Sequence, residues 1–276
     1  MNITGFPLPR NLTRWQKQSL LFLLVFVLIS LVSMVVPSYD TGLDSLEPPS
    51  LAHWLGTNDI GQDVLIGTLK ATPNTVSIAI ATSFLAIVLS IMLGATAAIA
   101  GGFVSNAILR LVDIIQVIPS ILILLFLAAL VHPSFWGTIL LLALTTWHDE
   151  VRVLRALFLR ELTRENVLYA RRMGASWFYC ATRHILPAVL PSVLGLFVQQ
   201  IRQAAMKVAG LGFLGLTDPQ LVTWGSLMQD ALDHLQSPAW MWLLVPPGLC
   251  LSLFLLSVLF IGRGLEVYSM ADGKEP

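Results

Sequence analysis

The chain has 276 residues, 56% hydrophobic and 12% charged, with basic and acidic side chains balanced to no net charge; its mean hydropathy is +0.78. A soluble domain carries about 25% charged residues, so this composition specifies an integral membrane protein and argues against a nucleic-acid partner. The two cysteines, Cys180 and Cys250, stand far apart in unlike contexts and suggest neither a disulfide framework nor a metal cluster.

Arg10, Arg14 and Lys17 precede an uncharged run from Gln18 to Tyr39. That run is longer than a signal-peptide core and no small-residue cleavage site follows it, so an uncleaved first membrane helix is expected. A spanning helix needs about 20 apolar residues. Largely apolar stretches of that length occur at 19–37, 74–100, 107–131, 135–155, 189–212 and 240–262. "AGGFVSN" (100–106) separates the second from the third, and the turn-forming "VHPS" (131–134) separates the third from the fourth. The expectation is an all-α membrane protein with six transmembrane helices. Residues 1–18 form an N-terminal segment, 38–73 an outer loop, 74–265 a core with five spans, and 266–276 a tail.

Charge sets the expected orientation. With both termini in the cytoplasm, Arg10, Arg14, Lys17, Arg110, Arg152, Arg155, Arg160, Arg164, Arg171, Arg172, Arg183 and Arg263 fall at the inner face. The outer segments at 38–73 and 213–239 hold Asp40, Asp44, Glu47, Asp59, Asp63, Asp218, Asp230 and Asp233, with Lys70 opposing them. This is the arrangement that the cytoplasmic preference of basic residues predicts.

The connection between the fourth and fifth spans, 156–188, is then the longest cytoplasmic segment. "ELTRENVLYARRM" (161–173) reads as a helix starting near Thr163, with Leu162, Val167, Tyr169, Ala170 and Met173 as a partial apolar stripe. Gly174 suits a helix end because it takes positive φ without steric cost. Ser176 reads as the N-cap of a second short helix, "WFYCATRHIL", and Pro187 is expected to disturb its continuation. Such a bend offers Trp177 and Phe178 to a partner's groove. It is equally compatible with a helix on the inner leaflet, arginines toward anionic lipid and aromatics at the interface.

In the fifth span, "VQQIRQAAMKVAG" (198–210) places Gln199, Arg202, Gln203, Met206 and Lys207 on one helical face. Charge at mid-bilayer is expensive, so this face is expected to avoid lipid. It either lines a translocation path that favours anionic cargo or makes a polar contact with a partner membrane chain. Arg110 and Asp113 are spaced to pair at i, i+3. His148, Asp149 and Glu150 are adjacent on one helix, point in different directions and do not compose a metal site.

No phosphate-binding P-loop, zinc-protease motif or nucleophile elbow occurs. The chain is therefore not expected to bind and hydrolyse ATP by the P-loop route. A self-sufficient secondary transporter of small polar solutes is the alternative, but neither an internal repeat nor a buried acid suited to ion coupling is evident. A membrane scaffold would not need the charged face of the fifth span.

"ENVLYARRMGASWFYCATRHILPAVLPSVL" (165–194) resembles the EAA segment of binding-protein-dependent ABC importer permeases. Gly174, Ala175, Ser176, His184, Leu186, Pro187 and Pro191 match that pattern. "HWLGTNDIGQDVL" (53–65), "LRLVDIIQVIPSILI" (109–123), "GLGFLGL" (210–216), "WGSLMQDA" (224–231) and "PPGLCLSLFLLSVLFIGRGL" (246–265) resemble further blocks in the same order. Together they are similar to the C-type permease of the dipeptide, oligopeptide and nickel subgroup. The resemblance implies a non-catalytic transport subunit with a type I importer fold in the bacterial inner membrane. It also implies ATPase docking through Tyr169, Ala170, Arg171, Arg172, Gly174, Ala175, Ser176, Trp177 and Phe178. Its implied partners are a second homologous permease, two ATP-binding subunits that hold ATP and Mg, an extracytoplasmic solute-binding protein and membrane lipid. No cofactor or metal is expected in this chain. The subgroup carries peptides, nickel or metal chelates of the metallophore and opine type. Departures from its pattern are Leu168 in place of a frequent glutamate, Arg172 for a small residue, Gln62 for an arginine, Val208 for a glutamate and Arg263 for an aspartate.

Overall fold

The computed structural model describes residues 44–272, with Leu24, Leu28 and Ser33 before them and side chains as far as Arg263. Apart from those three positions, the expected first span at 19–37 and the segment before it lie outside the described residues, as does the end of the tail. Every regular element among the described residues is helical.

Helix α1, Val64–Ala100, begins well before the span expected at 74. Asp63 starts it, its carboxylate accepting from the backbone N–H groups of Leu65 at 2.8 Å and Ile66 at 3.2 Å. Pro73 lies inside the helix, where contacts from a later segment hold both flanks. The Trp224 backbone N–H donates to Thr75 at 3.1 Å and its indole to the Thr68 carbonyl at 3.4 Å, while Asn74 donates to the Val222 carbonyl at 2.8 Å. Tertiary packing thus extends the helix past a residue that local sequence reads as a boundary.

Two expected spans are each broken in two. Residues 107–131 fall into α2, Gly102–Val117, and α3, Ser120–Val131, bent by 73°. Pro119 is the cause, since it forces Ile118 into an extended conformation (φ −93°, ψ 126°). Residues 135–155 divide into α4, Phe135–Leu144, and α5, His148–Leu162. The Thr145 and Thr146 hydroxyls bond back to the carbonyls of Leu141 and Leu142 at 2.9 and 2.8 Å, and Ser90 of α1 bonds to the Trp147 carbonyl freed at the break. His132, at φ +43°, turns the chain within the expected "VHPS" punctuation.

After α5 come α6, Glu165–Arg172, and α7, Trp177–Cys180. A π-helical turn, Ala181–Ile185, joins α7 to α8, Leu186–Phe213. The stretch Trp177–Phe213 is one 37-residue helix. Pro187 therefore does not separate the short aromatic helix from the span; the widened turn before it absorbs the disturbance. Helix α9, Trp224–Asp230, and a 3₁₀ turn, Ala231–His234, lead into α10, Trp240–Asp272. Val64–Ala100, Trp177–Phe213 and Trp240–Arg263 are long and apolar enough to cross a membrane, and the bent α2–α3 pair makes a fourth such unit.

The core runs along α1 and α8. At one end Phe158, Leu154, Val167, Cys180 and Ile185 pack against Ile87 and Val189. Centrally Ala71, Ala79, Ala204 and Ala205 surround Trp224 and Phe254, whose rings are 5.8 Å apart. Because lipid is as apolar as a leucine core, close backbone approach through small residues does the holding. At Gly94 a Cβ would stand 3.0 Å from Leu154 Cβ and 3.1 Å from the Val151 carbonyl, so α1 and α5 meet at nearly backbone distance. The hydroxyls of Thr68, Thr72, Ser83 and Ser90 each bond to the carbonyl four residues earlier, which lets them be buried at little cost.

Candidate functional site

The segment 165–180 forms a rigid elbow. Helix α6 closes with paired bonds, Gly174 N–H to the Arg171 carbonyl and Ala175 N–H to the Ala170 carbonyl, both 3.0 Å. Gly174 sits at φ +89°; this is the Schellman closure. Ser176 then caps α7, accepting from the Tyr179 N–H at 3.1 Å. The helix expected over 161–173 is interrupted at its first turn, because α5 runs on to Leu162 and the Thr163 hydroxyl bonds back to the Arg160 carbonyl at 2.9 Å.

The two arginines before the glycine differ in role. Arg171 folds across the turn, donating to the Ala175 carbonyl and stacking 4.1 Å from the centre of the Trp177 ring. Arg172 points outward, over the Tyr169 ring at 5.8 Å. Ala170 and Ala175 are half-buried against the core, while Tyr169, Met173, Trp177 and Phe178 are exposed, Met173 at 89% and Phe178 at 79%. Of the expected apolar stripe, Val167 is buried, Leu162 and Ala170 pack at its edge, and Tyr169 and Met173 face away.

What seats the elbow was not evident from the sequence. Glu161, buried at the end of α5, holds Arg164 at 2.8 Å and Arg160 at 3.3 Å. Arg155 donates to Ser105 at 2.9 Å. Asp113 pairs with Arg152 on α5, not with Arg110 one turn away, so the ion pair ties two helices together and does not stabilise one.

On α8, the structure brings Gln199, Arg202, Gln203, Met206 and Lys207 to one side. Gln199 and Met206 are exposed and the other three half-buried, while the opposite stripe, Gln200, Ala204, Val208 and Leu211, is buried. Val208 packs among Ile139, Leu142 and Leu211, a setting suited to an aliphatic side chain. Asp149, at the start of α5, is near enough to Lys207 to interact electrostatically; sequence reasoning did not connect them, because only the α4–α5 break brings that carboxylate to α8. His148 is buried at 3% exposure. Its Nδ1 lies 3.2 Å from the Asp149 carboxylate but lacks hydrogen-bond geometry, and neither ring nitrogen has a hydrogen-bond partner among the described residues.

At the far end from the elbow, residues 44–63 fold onto the start of α10, with the Trp242 indole donating to the Thr57 carbonyl at 3.1 Å and His53 paired to Asp63 at 3.0 Å. Asp230 is half-buried beneath this loop, sharing a small cleft with Asn58, Gln62 and Asp63. Burial, with Asp59 and Asp233 adding to it and His234 opposing, pushes its carboxyl up to about 6.

Residues 86–266 match the family described as binding-protein-dependent transport system inner membrane component. The chain belongs to this family. It is thus a multi-pass transport permease, of a family whose members are transport subunits and not catalysts. A Brucella suis protein described as a peptide permease is 32% identical to it over 221 residues, 79% of this chain and 72% of that protein. The oligopeptide transport system permease protein OppC of Bacillus subtilis is 28% identical over 92% of this permease and 85% of its own length. The nickel transport system permease protein NikC of Escherichia coli K12 is 29% identical over 92% and 93%. These relatives bear out the resemblance to peptide and nickel importer permeases. Among solved structures, an inward-facing MetNI methionine ABC transporter chain superposes with a TM-score of 0.52 at 16% identity, covering 73% of this permease and 95% of that chain. That likeness establishes the type I importer permease fold.

Proposed function

We propose that this permease forms half of the translocation path of an ATP-driven, binding-protein-dependent importer for peptides, nickel or metal chelates in the bacterial inner membrane. In this reading six helices cross the membrane with both termini in the cytoplasm. A second homologous permease completes the path, two ATP-binding subunits carry ATP and Mg, and an extracytoplasmic solute-binding protein delivers cargo. The elbow, with Tyr169, Arg172, Trp177 and Phe178 on its surface and Ala170, Arg171, Gly174, Ala175 and Ser176 holding its shape, docks on an ATPase. The face of α8 carrying Gln199, Arg202, Gln203, Met206 and Lys207 lines the path.

One observation carries this reading. The exposed aromatic end and the polar face belong to a single unbroken helix, Trp177–Phe213, so movement of a docked ATPase reaches the path without crossing a loop. ATP-driven closure of the ATPases then rocks the helices between two accesses. Reconstitution of the permease pair with its ATPases and binding protein tests the scheme: uptake is expected to require ATP and all partners, and uptake by the permease pair alone would establish a secondary transporter instead. Arg202→Gln is expected to lower uptake several-fold while the complex still assembles; unchanged uptake at normal expression would remove Arg202 from the path.

A further inference from the structure

Between α8 and α10 lies a groove of about 120 Å³ whose walls include Gly195, Gln199 and Arg202 on one side and Gly262 and Arg263 on the other. A Cβ on Gly262 would stand 3.3 Å from Val198, which fixes the register of the two antiparallel helices. Residue 262 faces residue 198, so Arg263 is about one and a half turns (~7.5 Å along the axis) nearer the elbow end than Arg202. No carboxylate among the described residues lines the groove. Among the described residues, neither guanidinium takes part in an ion pair, although other arginines here, Arg152 and Arg164, do.

Two like charges facing one open space about a turn and a half apart repel, and a structural pair would be expected to share an acid. The volume is that of about four waters, enough for a carboxylate and its hydration. Planar guanidinium groups match the two oxygens of a carboxylate, as of a phosphate, through paired charge-assisted hydrogen bonds. Gln199 continues the line of Gln203, Met206 and Lys207, so the groove is the elbow-side end of the polar face of α8.

We propose that this groove receives the carboxylate of the cargo on the cytoplasmic half of the path. Arg202 and Arg263 supply the charge-assisted donors and Gln199 an amide donor. The inference rests on the path reading above and deepens it: the cargo is a carboxylate-bearing solute, held last by a residue of the final helix.

Uptake of trialanine and of its C-terminal amide by the complete importer in proteoliposomes tests the proposal. Arg263→Gln is expected to lower free-acid uptake about tenfold relative to the amide, the loss of one hydrogen bond to a charged group, and Arg263→Lys to restore most of it. Equal loss of both peptides, or no change in their ratio, overturns the proposal while leaving the importer reading intact. An effect of Arg263→Gln that disappears when phosphatidylglycerol is omitted from the vesicles overturns it in favour of a lipid phosphate. A wild-type complex that moves neither probe with ATP sinks the peptide-importer reading beneath it.

Discussion

Gly174 owes its identity to backbone conformation and not to crowding. Its φ is +89°, and an added Cβ would meet nothing within 4 Å. Gly174→Ala therefore strains the turn by about 1 kcal/mol without creating a clash. The expected outcome is weaker co-purification with the ATPase subunit at almost unchanged thermal stability of the isolated permease. Gly174 and Ser176 were legible in the sequence because a helix end and an N-cap are local events with characteristic residues. Arg171 and Arg172 were not distinguishable there. Only the closed turn directs one inward to the Ala175 carbonyl and leaves the other outward on Tyr169. Charge reversal at Arg172 is accordingly expected to weaken ATPase association in a pull-down without unfolding the elbow.

At the scale of elements, periodicity and apolar length located the helices well but not their continuity. The stretches 107–131 and 135–155 each read as one span because hydropathy averages over a break. Pro119 bends the first, and the second breaks where Thr145 and Thr146 exchange helical bonds for turns. The early start of α1 was hidden for the converse reason: Pro73 signals a boundary locally, and contacts from residues 222–224, distant in the chain, override it. The loop-and-α9 layer at the far end makes a pH prediction. Asp230 has a folded pKa of about 6, above its ordinary 3.8, so the folded state holds this proton more tightly than the unfolded chain. Its contribution to stability is complete below about pH 4 and is lost as pH rises through 6. Thermal unfolding of the purified permease is expected to show a higher Tm at pH 5 than at pH 7.5, and Asp230→Asn to reduce that difference by stabilising the protein at the higher pH.

Across the whole molecule, assembly depends on small residues where backbones meet. A Cβ at Gly225 would overlap the Ala209 carbonyl oxygen, and neither helix can withdraw without opening the packing around Trp224. Gly225→Ala is expected to cost about 3 kcal/mol, read as a sharp fall in folded yield from the membrane. Motif order along the chain was enough to reveal the family. The groove of Arg202 and Arg263 was not visible at that level, because it exists only once α10 returns antiparallel along α8 and places distant residues side by side.

The unbroken helix from Trp177 to Phe213 spans about 55 Å and packs along α1 over much of its length. Mechanically it is a stiff rod that tilts as one piece. A tilt of about 5° displaces each end by roughly 2 Å in opposite directions, by the same helical rise. In the importer proposed above, pulling the elbow inward therefore pushes the far end outward, so one stroke narrows one mouth of the path as it widens the other.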